Sequence, residues 1–244
     1  MRQAIGALVI GWLAALGCGS AAADGLLLYY HDRPPYSEKQ PDGSVHGITA
    51  DIAAAALQAA GIAFRWEDLP SARQLEVIKR DVNQACGLGW FKRPDREAFA
   101  KFTAPIYRDL PTIIVARADD ARFAGTPRLD ALFSDKALIL LIKTGYSYGA
   151  EIDSKIAADV PNLRRDSSEN RIMLGMVGRK RVDYMFMPEE EARDLLDDPE
   201  LKVAGLAVYH LRDAPAGEFR YLMGSKSVPD SLIERINQAI TPPQ

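Results

Sequence analysis

Gly89-Trp90-Phe91-Lys92-Arg93-Pro94-Asp95-Arg96-Glu97, followed by Phe102-Thr103-Ala104-Pro105-Ile106-Tyr107, is the stretch on which the reading of this chain turns. A short apolar run, Ala85 to Leu88, enters a turn marked by Gly89, and the turn carries a guanidinium at Arg96 just before a hydrophobic segment. The planar fork of arginine donates to both oxygens of a carboxylate at once, so an arginine presented in this way suits capture of a carboxylate. The plainer alternative is a surface ion pair with Asp95 or Glu97, which would contribute little.

The run Ala85 to Leu88 is the third strand of a regular series. Leu26 to Tyr30 is apolar and strand-like, and 31–47 is a loop with Pro34, Pro35, Pro41 and two glycines. Ile48 to Ala60 carries Ile48, Ile52, Ala55, Ala56 and Ala59 on one helical face, with Gly61 as a stop signal. Ile62 to Trp66 alternates as a strand, and Ser71 to Arg80 reads as a helix opened by a Ser71/Gln74 capping box.

The order repeats downstream. Ala137 to Ile142 is a continuous apolar run suited to a strand buried on both faces; Ser147 to Ala158 and Ser167 to Gly178 read as helices and Asp183 to Met187 as a strand. Two successive βαβαβ units imply two α/β lobes, each a mostly parallel sheet flanked by helices, because parallel strands need crossover helices. Glu218 to Met223 adds a strand, and Pro229 starts a helix with Leu232, Ile233, Ile236 and Ile240 on one face.

Arg2 is the only charge before the apolar run Ala4 to Leu16, and Ala21-Ala22-Ala23 supplies small residues for cleavage, so 1–23 reads as a signal peptide and the mature chain as periplasmic. Leu16-Gly17-Cys18 is a partial lipobox with Ala15 where leucine is usual; a cysteine discarded with the signal is favoured over a lipid anchor. Cys86 is then the only cysteine left, which excludes an internal disulfide. A formal charge of −3 with no basic run argues against nucleic acid as a partner. The histidines at 31, 46 and 210 are scattered and no G-x-S-x-G occurs, so no catalytic residue, metal site or cofactor is expected.

The opening stretch resembles the "G-x-T-x-T-P-E-R … F-S-x-P-Y" segment of family 3 extracellular solute-binding proteins, the type II periplasmic receptors of amino-acid transporters. The resemblance covers essentially the whole mature chain. It implies a two-lobed periplasmic-binding-protein-like fold with the cleft at the hinge, crossed twice by the chain: lobe one over 24–109 plus 214–244, lobe two over 110–213. It implies that Arg96 pairs with a ligand carboxylate, and that Tyr30, Arg33 and Tyr36 face the ligand from the first cleft loop, where Pro35-Tyr36 matches a P-F/P-Y pair. The hydroxyls of the T-x-T pair are Phe91 and Arg93 here, so Gly89, Trp90 and Phe91 give a more aromatic wall than a general amino-acid site has. Pro70-Ser71-Ala72-Arg73 resembles a proline-x-x-arginine segment of one branch, which brings in Ser71 and Arg73; Ser71 as a helix cap, and Arg73 paired with Asp68, are the structural alternatives. Lys143-Thr144-Gly145-Tyr146-Ser147 resembles the family's G-T loop, with free N–H groups and the Ser147 hydroxyl completing an anion site beside Tyr146.

One departure bears on the ligand. Five residues after Asp183, where the family places the acid that takes an α-amino group, this chain has Pro188. Glu189 and Glu190 are adjacent substitutes, but Pro188-Glu189-Glu190-Glu191 also makes a plain helix start with proline at its first position. A standard α-amino acid is thus in doubt as the ligand, and a carboxylate without an α-amino group becomes credible. With Tyr30, Trp90, Phe91, Arg33, Arg73 and Arg96, an acidic or aromatic carboxylate is expected to bind well and simple aliphatic amino acids poorly, Glu189 being the residue that could restore an amino-group site. The expected function is a monomeric periplasmic receptor that captures a small carboxylate for an ABC permease. The alternatives are a cyclohexadienyl-dehydratase-like enzyme on the same fold, with Glu189 or Glu190 as general acid, and a ligand sensor for a membrane partner.

Overall fold

The computed structural model describes residues 25–159 and 162–243. The signal-peptide and Cys18 readings lie outside them. The first half runs β1 (Leu26–Tyr30), β2 (Glu38–Lys39), β3 (Val45–His46), α1 (Ile48–Ala59), β4 (Phe64–Asp68), α2 (Ser71–Lys79), β5 (Ala85–Phe91), α3 (Pro94–Glu97), β6 (Ala100–Phe102) and β7 (Tyr107–Arg108). The chain then crosses to β8 (Ile113–Arg117), α4 (Leu129–Ser134), β9 (Leu140–Lys143), α5 (Ala150–Asp159), β10 (Leu163–Asp166), α6 (Asn170–Gly178), β11 (Tyr184–Met187), α7 (Glu189–Leu196), α8 (Pro199–Lys202) and β12 (Leu206–Tyr209). It returns through β13 (Phe219–Ser225) and ends in α9 (Asp230–Ala239).

Two sheets result. The first is ordered β4-β1-β5-β13-β6, with β7 also paired to β13; the second is β10-β9-β11-β8-β12. In each, a parallel trio (β4, β1 and β5; β10, β9 and β11) is extended by one strand running the other way, β13 or β8. Those reversed strands are the ones that immediately follow a crossing between the sheets.

Alternation along each strand explains why these segments are apolar without interruption. In β1, Leu26, Leu28 and Tyr30 pack under α1 and α9, while Leu27 and Tyr29 pack on the opposite face with Ile78 of α2. In β11, Tyr184 and Phe186 face Phe123 and Phe133, while Met185 and Met187 face Met173 and Val177 of α6. A strand covered on both sides has no solvent face, so no polar alternation is possible.

The structure shifts several expected boundaries. α5 starts at Ala150 rather than Ser147, because Gly149 holds a left-handed backbone (φ 95°) that no helix contains. α2 is capped by Pro70, and the capping box does not form: Ser71 is already in the helix, and Gln74 is turned inward to Leu69 O and to Trp90 Nε1. Pro188 likewise caps α7 from outside instead of occupying its first position. Cys86 is fully buried in β5, where desolvation pushes its thiol up to about 12, so it is inert. Among the described residues no helix is long and apolar enough to cross a membrane.

Candidate ligand-binding cleft

Parallel α/β sheets leave a crevice beyond the carboxyl ends of their strands, and here the crevices of the two sheets face one another. They enclose about 860 Å³ of space, part of it open to solvent. His31 and Arg33 follow the end of β1, Phe91 ends β5 with Arg96 just beyond, Tyr146 and Ser147 follow β9, and Pro188 follows β11; all line this cavity.

Arg96 is 5% exposed on the short helix α3. Its Nη1 donates to Phe91 O at 2.9 Å and its Nη2 to Gly145 O of the second lobe at 3.3 Å, and it stacks on Trp90 at 4.8 Å. Trp90 is itself held by Gln74, at 3.1 Å from indole nitrogen to amide oxygen. Desolvation, and then repulsion from Arg93, lower the Arg96 guanidinium to about 10. Among the described residues no carboxylate lies within ion-pair distance of it. A buried cation bonded only to carbonyl oxygens is a site that gains from an anion.

The other cavity cations already have carboxylate partners, although Arg33 Nε is buried without an acceptor. Arg220 grips both oxygens of Asp109, at 2.6 and 2.7 Å, donates to Gly89 O at 2.9 Å, and is held protonated chiefly by that carboxylate against burial. Arg33 donates to Glu191 at 2.6 Å across the lobes, and Glu191 also accepts from Asn170 at 2.6 Å. The guanidinium groups and aromatic rings alternate: Arg33 lies 5.3 Å from the Tyr146 ring and 4.9 Å from that of Tyr36, and Arg220 lies 4.5 Å from Tyr36 and 4.8 Å from Phe91. This gives the cleft a flat, layered wall running from one lobe to the other.

His31 Nε2 and the Tyr146 hydroxyl, 2.9 Å apart, form another bond between the lobes. Desolvation, followed by Arg33, Lys143 and Arg220, depresses this imidazole to about 3, so it is neutral at physiological pH. Behind the cavity, Glu190 accepts from Tyr107 at 2.7 Å, Tyr36 at 3.2 Å and the Leu110 amide at 3.3 Å.

Of the residues expected at the site, Arg33, Tyr36, Ser71, Gly89, Trp90, Phe91, Arg96, Tyr146 and Ser147 line the cavity. Tyr30, Arg73 and Glu189 do not. Tyr30 shares the strand face of Leu26 and Leu28 and packs edge-on against Trp66 at 5.6 Å; the alternation that buries it sends the next residue, His31, to the cleft. α2 buries Gln74 and Ile78, which leaves Arg73 exposed beside Glu76 at 3.6 Å. Glu189 turns away to Arg193, one helical turn on, and to His210 at 3.1 Å. Burial alone would raise its carboxyl, but those two partners outweigh it and hold it below the ordinary range. The anion site expected at Ser147 is filled by the chain itself: Asp153 takes the Ser147 hydroxyl, the Tyr148 amide at 2.9 Å and Arg93. His31, Asp109, Asn170 and Arg220 are cavity residues that the sequence reading missed.

The model of the bacterial extracellular solute-binding proteins, family 3, matches residues 27–241. The chain belongs to that family. No curated protein sequence matches it closely enough to count as a relative. Among solved structures it is similar to an ancestral arginine-binding protein bound to arginine (16% identity, 89% of this chain and 90% of that one, TM-score 0.69). It is also similar to the arginine-, lysine-, histidine-binding protein ArtJ from the thermophilic bacterium Geobacillus stearothermophilus (15%, 89% and 87%, 0.71). A third similar structure comes from work on glutathione import via GshT and the cystine ABC importer TcyBC of Streptococcus mutans (13%, 88% and 87%, 0.70). Likeness at such identities speaks for the fold and leaves the ligand open.

Proposed function

We propose that this protein is a periplasmic receptor that captures a small carboxylate-bearing ligand between its lobes and hands it to an ABC importer. The observation that carries the reading is Arg96: a desolvated guanidinium, backed by Trp90, at the edge of a cavity between two lobes, with no carboxylate of its own. Family membership and the transport proteins among its structural neighbours support the receptor role. The lobes then act as jaws about the segments 109–112 and 210–218, which join the two sheets. The protein works as a monomer after export.

The receptor is favoured over a dehydratase by the state of the two acids that would supply a proton. A general acid needs a raised pKa, whereas Glu189 is held low by Arg193 and His210 and Glu190 is committed to Tyr107, Tyr36 and Leu110; Asp109, which burial raises, has both oxygens gripped by Arg220. Thermal denaturation of the purified mature chain against a panel of carboxylates and neutral analogues tests the proposal. A true ligand at a hundred times its Kd adds about 2.7 kcal/mol of stability and a clear rise in Tm. A panel in which only neutral or cationic compounds raise the Tm would refute it.

A further inference from the structure

Among the described residues, every carboxylate around the cleft is already committed within the protein. The one that lines the cavity, Asp109, has both oxygens on Arg220. Glu191 is spent on Arg33 and Asn170, Glu190 on two tyrosines and a backbone amide, Asp153 on Ser147, Tyr148 and Arg93, and Glu189 faces Arg193 and His210 outside the cavity. The end of β11, where side chains enter the cavity from the second lobe, offers Phe186, Met187 and the ring of Pro188, none of them anionic. An ammonium group bound here would be desolvated without an anionic partner, which is costly.

The charges also count out. Of the cations on the cavity wall, Arg220 pairs with Asp109 and Arg33 with Glu191 behind it, and among the described residues Arg96 is left without an ion-pair partner; Glu190, off the wall, is held by two hydroxyls and an amide. His31 adds none, because it is held neutral. A zwitterion would leave Arg96 matched and an ammonium stranded; a dianion would bring a second negative charge with no free cation to meet it. The alternating rings of Tyr146, Tyr36 and Phe91 favour a flat or apolar body for the remainder of the ligand.

We infer that the cleft selects monoanionic carboxylic acids that lack an ammonium group, and that Pro188 is the residue that excludes amino acids. This deepens the proposed receptor role and rests on it. A monoacid meets Arg96 and leaves every existing pair intact; the corresponding amino acid has to break one of them to find a partner.

The test is calorimetry on the mature chain with matched trios on aromatic, aliphatic and heteroaromatic skeletons. Examples are 3-phenylpropanoate, L-phenylalanine and benzylmalonate, and 4-methylpentanoate, L-leucine and isobutylmalonate. In the skeleton that fits best, the monoacid should bind roughly tenfold to a hundredfold more tightly than its amino-acid and dicarboxylate partners. Pro188→Asp then supplies the missing acid at a position that already caps α7, where aspartate is a preferred residue, so the fold is retained. The variant should narrow or reverse the preference for the monoacid over the amino acid. An amino acid or a dicarboxylate that binds best to the wild type would overturn the inference while leaving a carboxylate receptor in place. An unchanged preference in Pro188→Asp would overturn the role given to Pro188. Failure of every trio to bind would overturn the receptor reading as well.

Discussion

His31 is the residue at which closure of the cleft meets pH. Its ring touches Tyr146 of the other lobe, and Arg33, Lys143 and Arg220 all bear on it. Lys143 is itself paired with Glu169 at 2.7 Å, and Tyr146 lies under both Arg33 and Lys143, so no anion reaches the imidazole directly. In the unfolded chain a histidine titrates near 6.5, while in this fold the value is about 3. Between those limits the unfolded chain binds more protons. Stability is therefore intact above pH 6.5 and is lost as the pH falls toward 3. Urea unfolding of the wild type and His31→Gln from pH 7.5 to 4.5 should show the wild type losing stability faster below pH 6.5, by at most about 1.4 kcal/mol per pH unit. Parallel curves would mean that the ring is not held neutral by its surroundings. No local pattern marked this role: three scattered histidines look alike until the fold puts one of them among cations.

At the scale of elements, β5 shows what sequence could and could not foretell. Its apolar start, Ala85 to Leu88, is legible, but the strand continues to Phe91 through an irregularity opposite Tyr221 and Met223, where Gly89 adopts φ 74°. That bulge resets which way the strand's last residues face, and Trp90 and Phe91, in regular register beyond it, both border the cleft at the carboxyl end of the strand. Replacing Gly89 by Ala forces a left-handed backbone on a residue with a Cβ and should cost about 1–2 kcal/mol in urea unfolding followed by circular dichroism. Unchanged stability would show that the strand can relax to a regular pairing. β1, β9 and β11 were legible because strands covered on both faces are apolar throughout, and β4 because it alternates. β10 was not, since Leu163-Arg164-Arg165-Asp166 is an edge strand with little burial, and β12 is only half-buried. β8, by contrast, carries the apolar run Ile113 to Ala116 and its signal was there to be read.

At the scale of the whole molecule, the cleft is assembled from residues far apart in the chain. Asp109 and Arg220 are 111 positions apart and Arg33 and Glu191 are 158 apart. No local pattern marks such pairs, and this is why the sequence led to Arg96 and the aromatic wall but not to Asp109 or Arg220. What was legible came from strand ends: β1, β5, β9 and β11 each deliver a residue to the cavity at their carboxyl end. On the proposed reading, Arg96 is the cation that meets the ligand's carboxylate. Calorimetry of the best carboxylate ligand against the wild type and Arg96→Ala, with circular dichroism to show both folded, tests it most directly. Loss of roughly 2–5 kcal/mol of binding free energy in the variant is the expected result, as for truncating one partner of a desolvated charge pair; wild-type affinity in a folded Arg96→Ala would mean that Arg96 does not hold the carboxylate.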